Sequence, residues 1–249
     1  MIIDIHSHIK RNYRNPEEEE KKLLADMDKH GIDIRVVSAL EGVSVEEANQ
    51  YISDLVSRYP KRLAGCAVIN PKEADCAKKA EEALSLPGIV MLEFNSLEHG
   101  YYPDSRDGVE AVLDEASRKK VPVKVFSGIG SRAMPQQWLG HVRKHPELAF
   151  IFLHMGCFDY GYGCVDLALE YPNIYLETSN QYEVQILKKA VSSVPKEKLL
   201  FGSLWPERLT GCSLDIFDMF HLEEEAARAV FGENAARLLR LDKEGANAE

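Results

Sequence analysis

Two histidines spaced two residues apart, His6 and His8, close the apolar opening Met1-Ile2-Ile3-Asp4-Ile5. On a strand the side chains alternate faces, so both imidazoles point the same way. Two imidazoles on one face, at a strand end, can grip one metal ion, although a catalytic zinc site usually has three protein ligands. Glu93 is the candidate third ligand, since it ends the apolar run Ile89-Val90-Met91-Leu92. A carboxylate there needs either a polar centre to face or a cation, Arg132 or Lys124, to pair with. His154 follows Phe150-Ile151-Phe152-Leu153. It is a metal ligand, an acid/base, a donor to a carbonyl oxygen, or a hydrogen-bonded core histidine. Glu177 ends another run, as a general base, a partner that orients His154, or a helix-capping loop carboxylate. Asp4 is expected to face away from His6 or to support the strand by hydrogen bonds.

These residues need elements to hold them. Strand-like apolar runs recur at 2–6, 33–39, 63–69, 89–94, 121–126, 149–153, 174–177 and 198–201. Helical spacing fills the stretches between, at 16–29, 45–59, 72–84, 109–119, 136–144, 165–171, 182–193 and 222–230. The Glu17–Glu20 run reads as an acidic first helical turn, which suits the helix dipole. Strands alternating with helices over this length predict a single-domain (β/α)8 TIM barrel over residues 1–249, with a doubly wound sheet as the alternative. No Gly-x-Gly-x-x-Gly follows the first strand, which counts against a dinucleotide fold. In such a barrel the site lies at the C-terminal ends of the strands, where His6, His8, Glu93, Phe126, His154 and Glu177 all fall.

Composition bounds the partners. Lys+Arg 30 against Asp+Glu 40 gives a net charge of −10, and no basic stripe stands out, so a nucleic-acid binder is not expected. No apolar stretch is long enough for a membrane helix, and a strand starting at residue 2 leaves no room for an export signal. The five cysteines form no Cys-x-x-Cys pair and read as free thiols in a reducing cytoplasm. After the fifth run, Ser127-Gly128-Ile129-Gly130-Ser131-Arg132 is either a simple turn or a cradle for a carboxylate or phosphate. Tyr101-Tyr102-Pro103 and Phe158–Gly163 either wall an aromatic pocket or pack the barrel top.

Several motifs, in order, resemble the amidohydrolase-related metal-dependent hydrolases of the amidohydrolase superfamily. They are Asp4-Ile5-His6-Ser7-His8, Arg62–Gly65 with Asn70-Pro71, Val121–Gly128, Phe152–Gly156, Phe201–Pro206 and Gly232–Leu239. The resemblance covers nearly the whole chain and implies the barrel and a divalent metal, zinc being the expected ion. Two positions depart from it. Phe126 stands where the family carries a metal-binding histidine, and Leu204 where it carries the aspartate that binds metal and handles the proton of the attacking water. The resemblance therefore implies a barrel of metal-site ancestry but not the usual metal centre; the expected centre is His6, His8 and Glu93, with His154 as fourth ligand or acid/base and Glu177 or Asp159 as substitute base. Arg132, Phe126 and Trp205 are the expected substrate-binding residues.

The expected reaction is metal-assisted hydrolysis, or a related decarboxylation or hydration, of a small polar carboxylate-bearing substrate. The alternatives are a barrel that lost its metal and binds a ligand or protein partner, and metal-free acid/base catalysis by His154 with a carboxylate. Self-association into a homo-oligomer is left open.

Overall fold

A computed structural model describes residues 1–10, 15–39, 44–181 and 183–241. Its strands are β1 (Ile3–His8), β2 (Ile34–Ser38), β3 (Leu63–Val68), β4 (Ile89–Phe94), β5 (Val123–Val125), β6 (Phe150–Phe152), β7 (Ile174–Glu177) and β8 (Leu199–Leu200). Each pairs in parallel with the next, in sequence order. The ring closes just beyond β8. Ile5 N donates to Phe201 O (3.0 Å), Leu204 N to His6 O (2.9 Å) and His8 N to Trp205 O (2.7 Å). Eight parallel strands with helices between them form the expected (β/α)8 barrel, and no described helix is long and apolar enough to cross a membrane.

Parallel strands covered on both faces need apolar side chains on both. Ile3, Ile5, Cys66, Met91, Ile151 and Leu200 fill the barrel's interior, closed below by Ala235, Ala236 and Leu239 of the helix Asn234–Leu239. A second, larger core lies between the strands and the surrounding helices, with Leu23, Met27, Ile52, Leu55, Phe94 and Trp138 among its members.

The helices keep the expected order with shifted bounds. Pro16–His30 starts on Glu17, Glu18 and Glu19 and ends at Gly31 in the left-handed region (φ 66°), a turn that glycine makes without a Cβ clash. Val45–Arg58 starts where Ser44 accepts a hydrogen bond from Glu47 N. The expected helix at 72–84 shortens to Cys76–Ala83, and that at 165–171 begins earlier, at Gly161. The helix expected from Tyr182 is seen as Val184–Ser193, and Tyr182 itself lies outside the described residues. So do residues 242–249 of the expected domain.

β1 departs from simple alternation. Asp4 pairs with Arg35, but the next pair is Ser7 with Val37, so β1 carries one extra residue there. Such a bulge switches which parity faces inward. Ile3 and Ile5 pack inside the barrel, and beyond the bulge His6 and His8 face the interior as well. The bulge is held by Asp4, whose Oδ1 accepts the backbone N–H of His6 (3.2 Å).

Candidate functional site

At the C-terminal end of the barrel the strands bring a polar cluster together. His6 and His8 come from β1, Ser38 from β2, Cys66 from β3, Glu93 from β4 and Lys124 from β5, and all six are buried. Glu93 is the hub. Its Oε2 takes Lys124 Nζ at 2.9 Å and the Ser38 hydroxyl at 2.8 Å, while its Oε1 faces His8 Nε2 at 3.5 Å. Lys124 Nζ also lies 3.2 Å from His6 Nδ1. On its outer side His8 Nδ1 is 3.4 Å from Oε2 of half-exposed Glu207.

Charges follow from these contacts. Burial opposes ionisation of Glu93, but Lys124 and His8 outweigh it and hold the carboxyl well below its usual range. Burial also works against the Lys124 ammonium, and Cys66 and Glu93 more than compensate, raising its pKa. The pair is therefore ionised on both sides. Burial, then the charges of Lys124 and His8, push His6 well down, so its imidazole is neutral. His8 is opposite in sign. Burial lowers it, but Glu207 and Glu93 raise it to about 9.

A divalent ion can be tested against this donor set. His6 Nε2, both ring nitrogens of His8 and Glu93 Oε1 are buried and make no hydrogen bond. One ligand atom from each of His6, His8 and Glu93 lies within 4.8 Å of the others. Buried polar atoms are rarely left unpaired, and two imidazoles with one carboxylate are a zinc-type donor set. The residues fit a divalent ion. One neighbour does not help: Lys124 brings a positive charge to the same place.

His154 sits beside the cluster, its ring 5.1 Å from that of His6 and 5.6 Å from that of Phe126. Its backbone is left-handed (φ 59°), as is that of Met155 (φ 46°), a conformation costly for residues with a Cβ. Both polar backbone groups are secured, the N–H by Glu177 Oε2 (2.9 Å) and the carbonyl by Gln181 Nε2 (2.6 Å). Glu177 Oε1 accepts from Ser179 N (2.6 Å) and its Oε2 from the Ser179 hydroxyl (2.9 Å). That hydroxyl is 2.8 Å from His154 Nδ1. A hydroxyl has one proton, so if it donates to Glu177 it accepts from His154 Nδ1–H. Nε2 then carries the lone pair. Burial, then His8, lowers His154 to about 3, and burial raises Glu177 to about 7 against its three hydrogen bonds.

The remaining expected residues are placed as follows. Phe126 is half-buried against His154, where the resemblance called for a histidine. Leu204 is buried with φ 55°, a conformation in which aspartate or asparagine is more at ease. Arg132 is exposed and lies over the Tyr102 ring at 5.8 Å. Asp159 is exposed and accepts from Gly130 N (3.1 Å), joining the loops after β5 and β6. Trp205 stacks on Arg35 (5.4 Å). Asp4 serves the scaffold, accepting Arg35 Nε (2.8 Å), Ser203 N (2.9 Å) and the Ser203 hydroxyl (2.5 Å). Lys124 entered the sequence reading only as a partner for Glu93, yet a lysine between Val123 and Val125 is as informative as a glutamate ending Ile89–Leu92. Ser38, Ser179 and Glu207 carried no such signal.

Outside this cluster a cavity of about 410 Å³ opens beside Glu207, lined also by Thr178, Asn180, Gln181 and Arg208. Arg208 Nε donates to Asn180 Oδ1 (2.8 Å), and its charge is one of those acting on His154. A larger hollow of about 660 Å³ lies near the N-terminal ends of β5 and β6, lined by Lys120, Lys144, Arg237 and Arg240. It is the wrong end of the barrel for the chemistry.

Comparison with known proteins places this geometry. A gamma-resorcylate decarboxylase of Polaromonas sp. (strain JS666 / ATCC BAA-500) is 21% identical over 284 residues, covering 87% of this chain and 86% of its own. A 5-carboxyvanillate decarboxylase from Sphingomonas paucimobilis superposes with a TM-score of 0.74 at 17% identity, covering 96% of this chain and 98% of its own. A dihydroxybenzoic acid decarboxylase from Polaromonas sp. JS666, solved with manganese and the inhibitor 2-nitroresorcinol, superposes with a TM-score of 0.73 at 18% identity, covering 100% and 99%. The amidohydrolase family model (Amidohydro_2) matches residues 3–241, nearly the full length, and the chain belongs to that family.

Proposed function

We propose that this protein is a lyase that removes the carboxylate from a small aromatic or similarly flat acid, with a divalent ion held by His6, His8 and Glu93. The observation that carries the reading is the set of converging buried atoms on these three residues: His6 Nε2, which makes no hydrogen bond, and His8 Nε2 and Glu93 Oε1, which meet each other only at 3.5 Å. The decarboxylases among its relatives supply the reaction class. Zinc suits two imidazoles and a carboxylate, and manganese is the ion bound in one relative. When bound, such an ion polarises oxygens of the substrate and stabilises negative charge that develops there.

The chain's own residues do the rest. Arg208 faces the 410 Å³ cavity and offers a guanidinium to an anionic group of the substrate. Beside the donor cluster, the half-buried Phe126 ring packs edge-on against His154 and offers an aromatic surface to a flat ring. Loss of carbon dioxide leaves an electron pair on carbon, and that carbon needs a proton. His154 Nε2 is the atom to give it. When Glu177 carries a proton, the hydrogen bonds through Ser179 reverse, Ser179 donates to Nδ1, and Nε2 bears the N–H. After transfer, Glu177 is the carboxylate and Nε2 the lone pair. Glu177 and Ser179 are positioning residues in this scheme. The five free cysteines, four of them buried, suit a reducing cytoplasm, and the expected partner is a small-molecule acid.

The test is to assay purified protein, loaded with Mn²⁺ or Zn²⁺, against 2,6-dihydroxybenzoate and related acids by ultraviolet absorbance and carbon dioxide release. His154→Asn should cost on the order of a hundredfold to ten thousandfold in rate. No metal uptake and no turnover of any aromatic acid would sink the reading. A second reading rests on the Lys124–Glu93 pair, which neutralises the centre without an ion, and on apolar Phe126 and Leu204. Under it the barrel is a non-catalytic binder, and tight binding of such acids without turnover or metal would favour it.

A further inference from the structure

Lys124 is the charged group among the six clustered residues that the proposed chemistry leaves unused. It is fully buried, and its ammonium contacts two of the three residues that would hold the ion. It is not an amine poised for Schiff-base chemistry, since its carboxylate partner keeps it charged. Its contacts oppose a filled site. An ion on His6 Nε2 leaves the ring proton on Nδ1, the atom that faces Lys124 Nζ at 3.2 Å. Two donors would then point at each other. An ion on Glu93 Oε1 would also draw on the carboxylate charge that Oε2 lends to the ammonium at 2.9 Å. Metal-bound histidines ordinarily hand their second N–H to an acceptor, and here the neighbour is a cation.

We propose that Lys124 is a built-in competitor for the divalent ion: it fills the cationic place between Glu93 and His6, so the ion binds weakly and only when the ammonium swings away from His6. The inference rests on the metal site of the proposed function. It explains how a centre lacking two of the expected ligands, at Phe126 and Leu204, can be stable without an ion, with Glu93 compensated from within.

The experiment is calorimetric titration of metal-free protein with Mn²⁺, for the wild type, Lys124→Met and Lys124→Gln, each checked for folding by circular dichroism. Both variants should bind one Mn²⁺ on the order of tenfold to a hundredfold more tightly than the wild type. Their melting temperatures should also rise more on Mn²⁺ addition. Equal or weaker binding in a folded variant overturns the proposal, since Lys124 would then orient Glu93 for the ion. Binding by the wild type that survives both His6→Ala and Glu93→Gln, or no binding by any form at millimolar Mn²⁺, overturns the metal site itself and the proposal with it. A Mn²⁺-loaded wild-type structure needs no variant. Lys124 Nζ should have left His6 Nδ1, and an unchanged 3.2 Å contact refutes the competition.

Discussion

The Glu93–Lys124 pair makes a stability prediction that can be worked from its geometry. The two charged groups are 2.9 Å apart and fully buried. At an effective dielectric of about 20, their attraction is on the order of 6 kcal/mol. Burial costs several kcal/mol per ion, so the net value of the pair is small, but breaking it is expensive because one charge is left uncompensated. Glu93→Gln should therefore cost about 3–5 kcal/mol of unfolding free energy. For a chain of this size that is a drop in melting temperature of roughly 10 °C. Replacing both charges, in Glu93→Gln with Lys124→Met, should recover most of the loss, to within about 1–2 kcal/mol of the wild type. The assay is urea unfolding of metal-free protein, followed by circular dichroism and tryptophan fluorescence to check that the transitions coincide. A single-variant cost below about 1 kcal/mol, or a double variant as unstable as the sum of the two singles, would refute the view that these residues are a mutually compensating buried pair.

Four further outcomes follow from other parts of the barrel. A Cβ at Gly202 would come within 2.0 Å of Glu177 Oε1, so Gly202→Ala should push Glu177 off His154 and Ser179, costing about 1–3 kcal/mol by thermal unfolding. Glu110 binds His141 and His145 at 2.7 and 2.8 Å, and although burial opposes it, Lys144, His141 and His145 lower its pKa from 4.5 to about 2. A depressed carboxyl stabilises the fold above its unfolded pKa, so this contribution is full above about pH 4.5 and is lost as pH falls toward 2; Glu110→Gln should flatten the acid limb of a stability–pH curve. Phe126→His combined with Leu204→Asp should tighten Mn²⁺ binding in a calorimetric titration, and unchanged affinity would mean that the backbone does not aim these positions at the centre. Asp4→Ala should destabilise by about 1–3 kcal/mol in urea, because Arg35 Nε, Ser203 N and His6 N lose their buried acceptor while Arg35 keeps Asp26 at 2.9 Å, and Asp4→Asn should cost less because it keeps the acceptor for His6 N–H.

Most of the barrel was legible because parallel strands buried on both faces leave continuous apolar runs, and every such run became a strand. Bounds were less legible where local chemistry decides them. The segment at 136–144 divides into a 3-10 turn, Pro135–Trp138, and a helix, Leu139–Lys144. The site was legible where a polar residue interrupts an apolar run, as His6, Glu93, His154 and Glu177 do. Lys124 carried the same signal, and its weight comes only from a partner 31 residues away that no local pattern reveals. Glu207 and Ser179 sit on loops after strands, where side-chain direction has no period to read. Their roles come from the three-dimensional path of those loops.

The spacing of His6 and His8 reaches its result by a route that alternation alone does not describe. A regular strand with both histidines inward would also turn Asp4 inward and Ile3 and Ile5 outward. The barrel instead buries Ile3 and Ile5 in its interior and puts Asp4 against Arg35 and Ser203. Both placements are met because the strand gains one residue between Asp4 and Ser7. The bulge frees the N–H of His6 from the ladder, and Asp4 accepts it two residues back. Asp4 thus lets an apolar barrel floor and a polar barrel mouth share one strand. The same carboxylate ties β1 to the loop after β8 through Ser203, next to Leu204, where the resemblance called for an aspartate. Asp4 therefore holds the strand that carries His6 and His8, while Lys124 from β5 places a positive charge against Glu93.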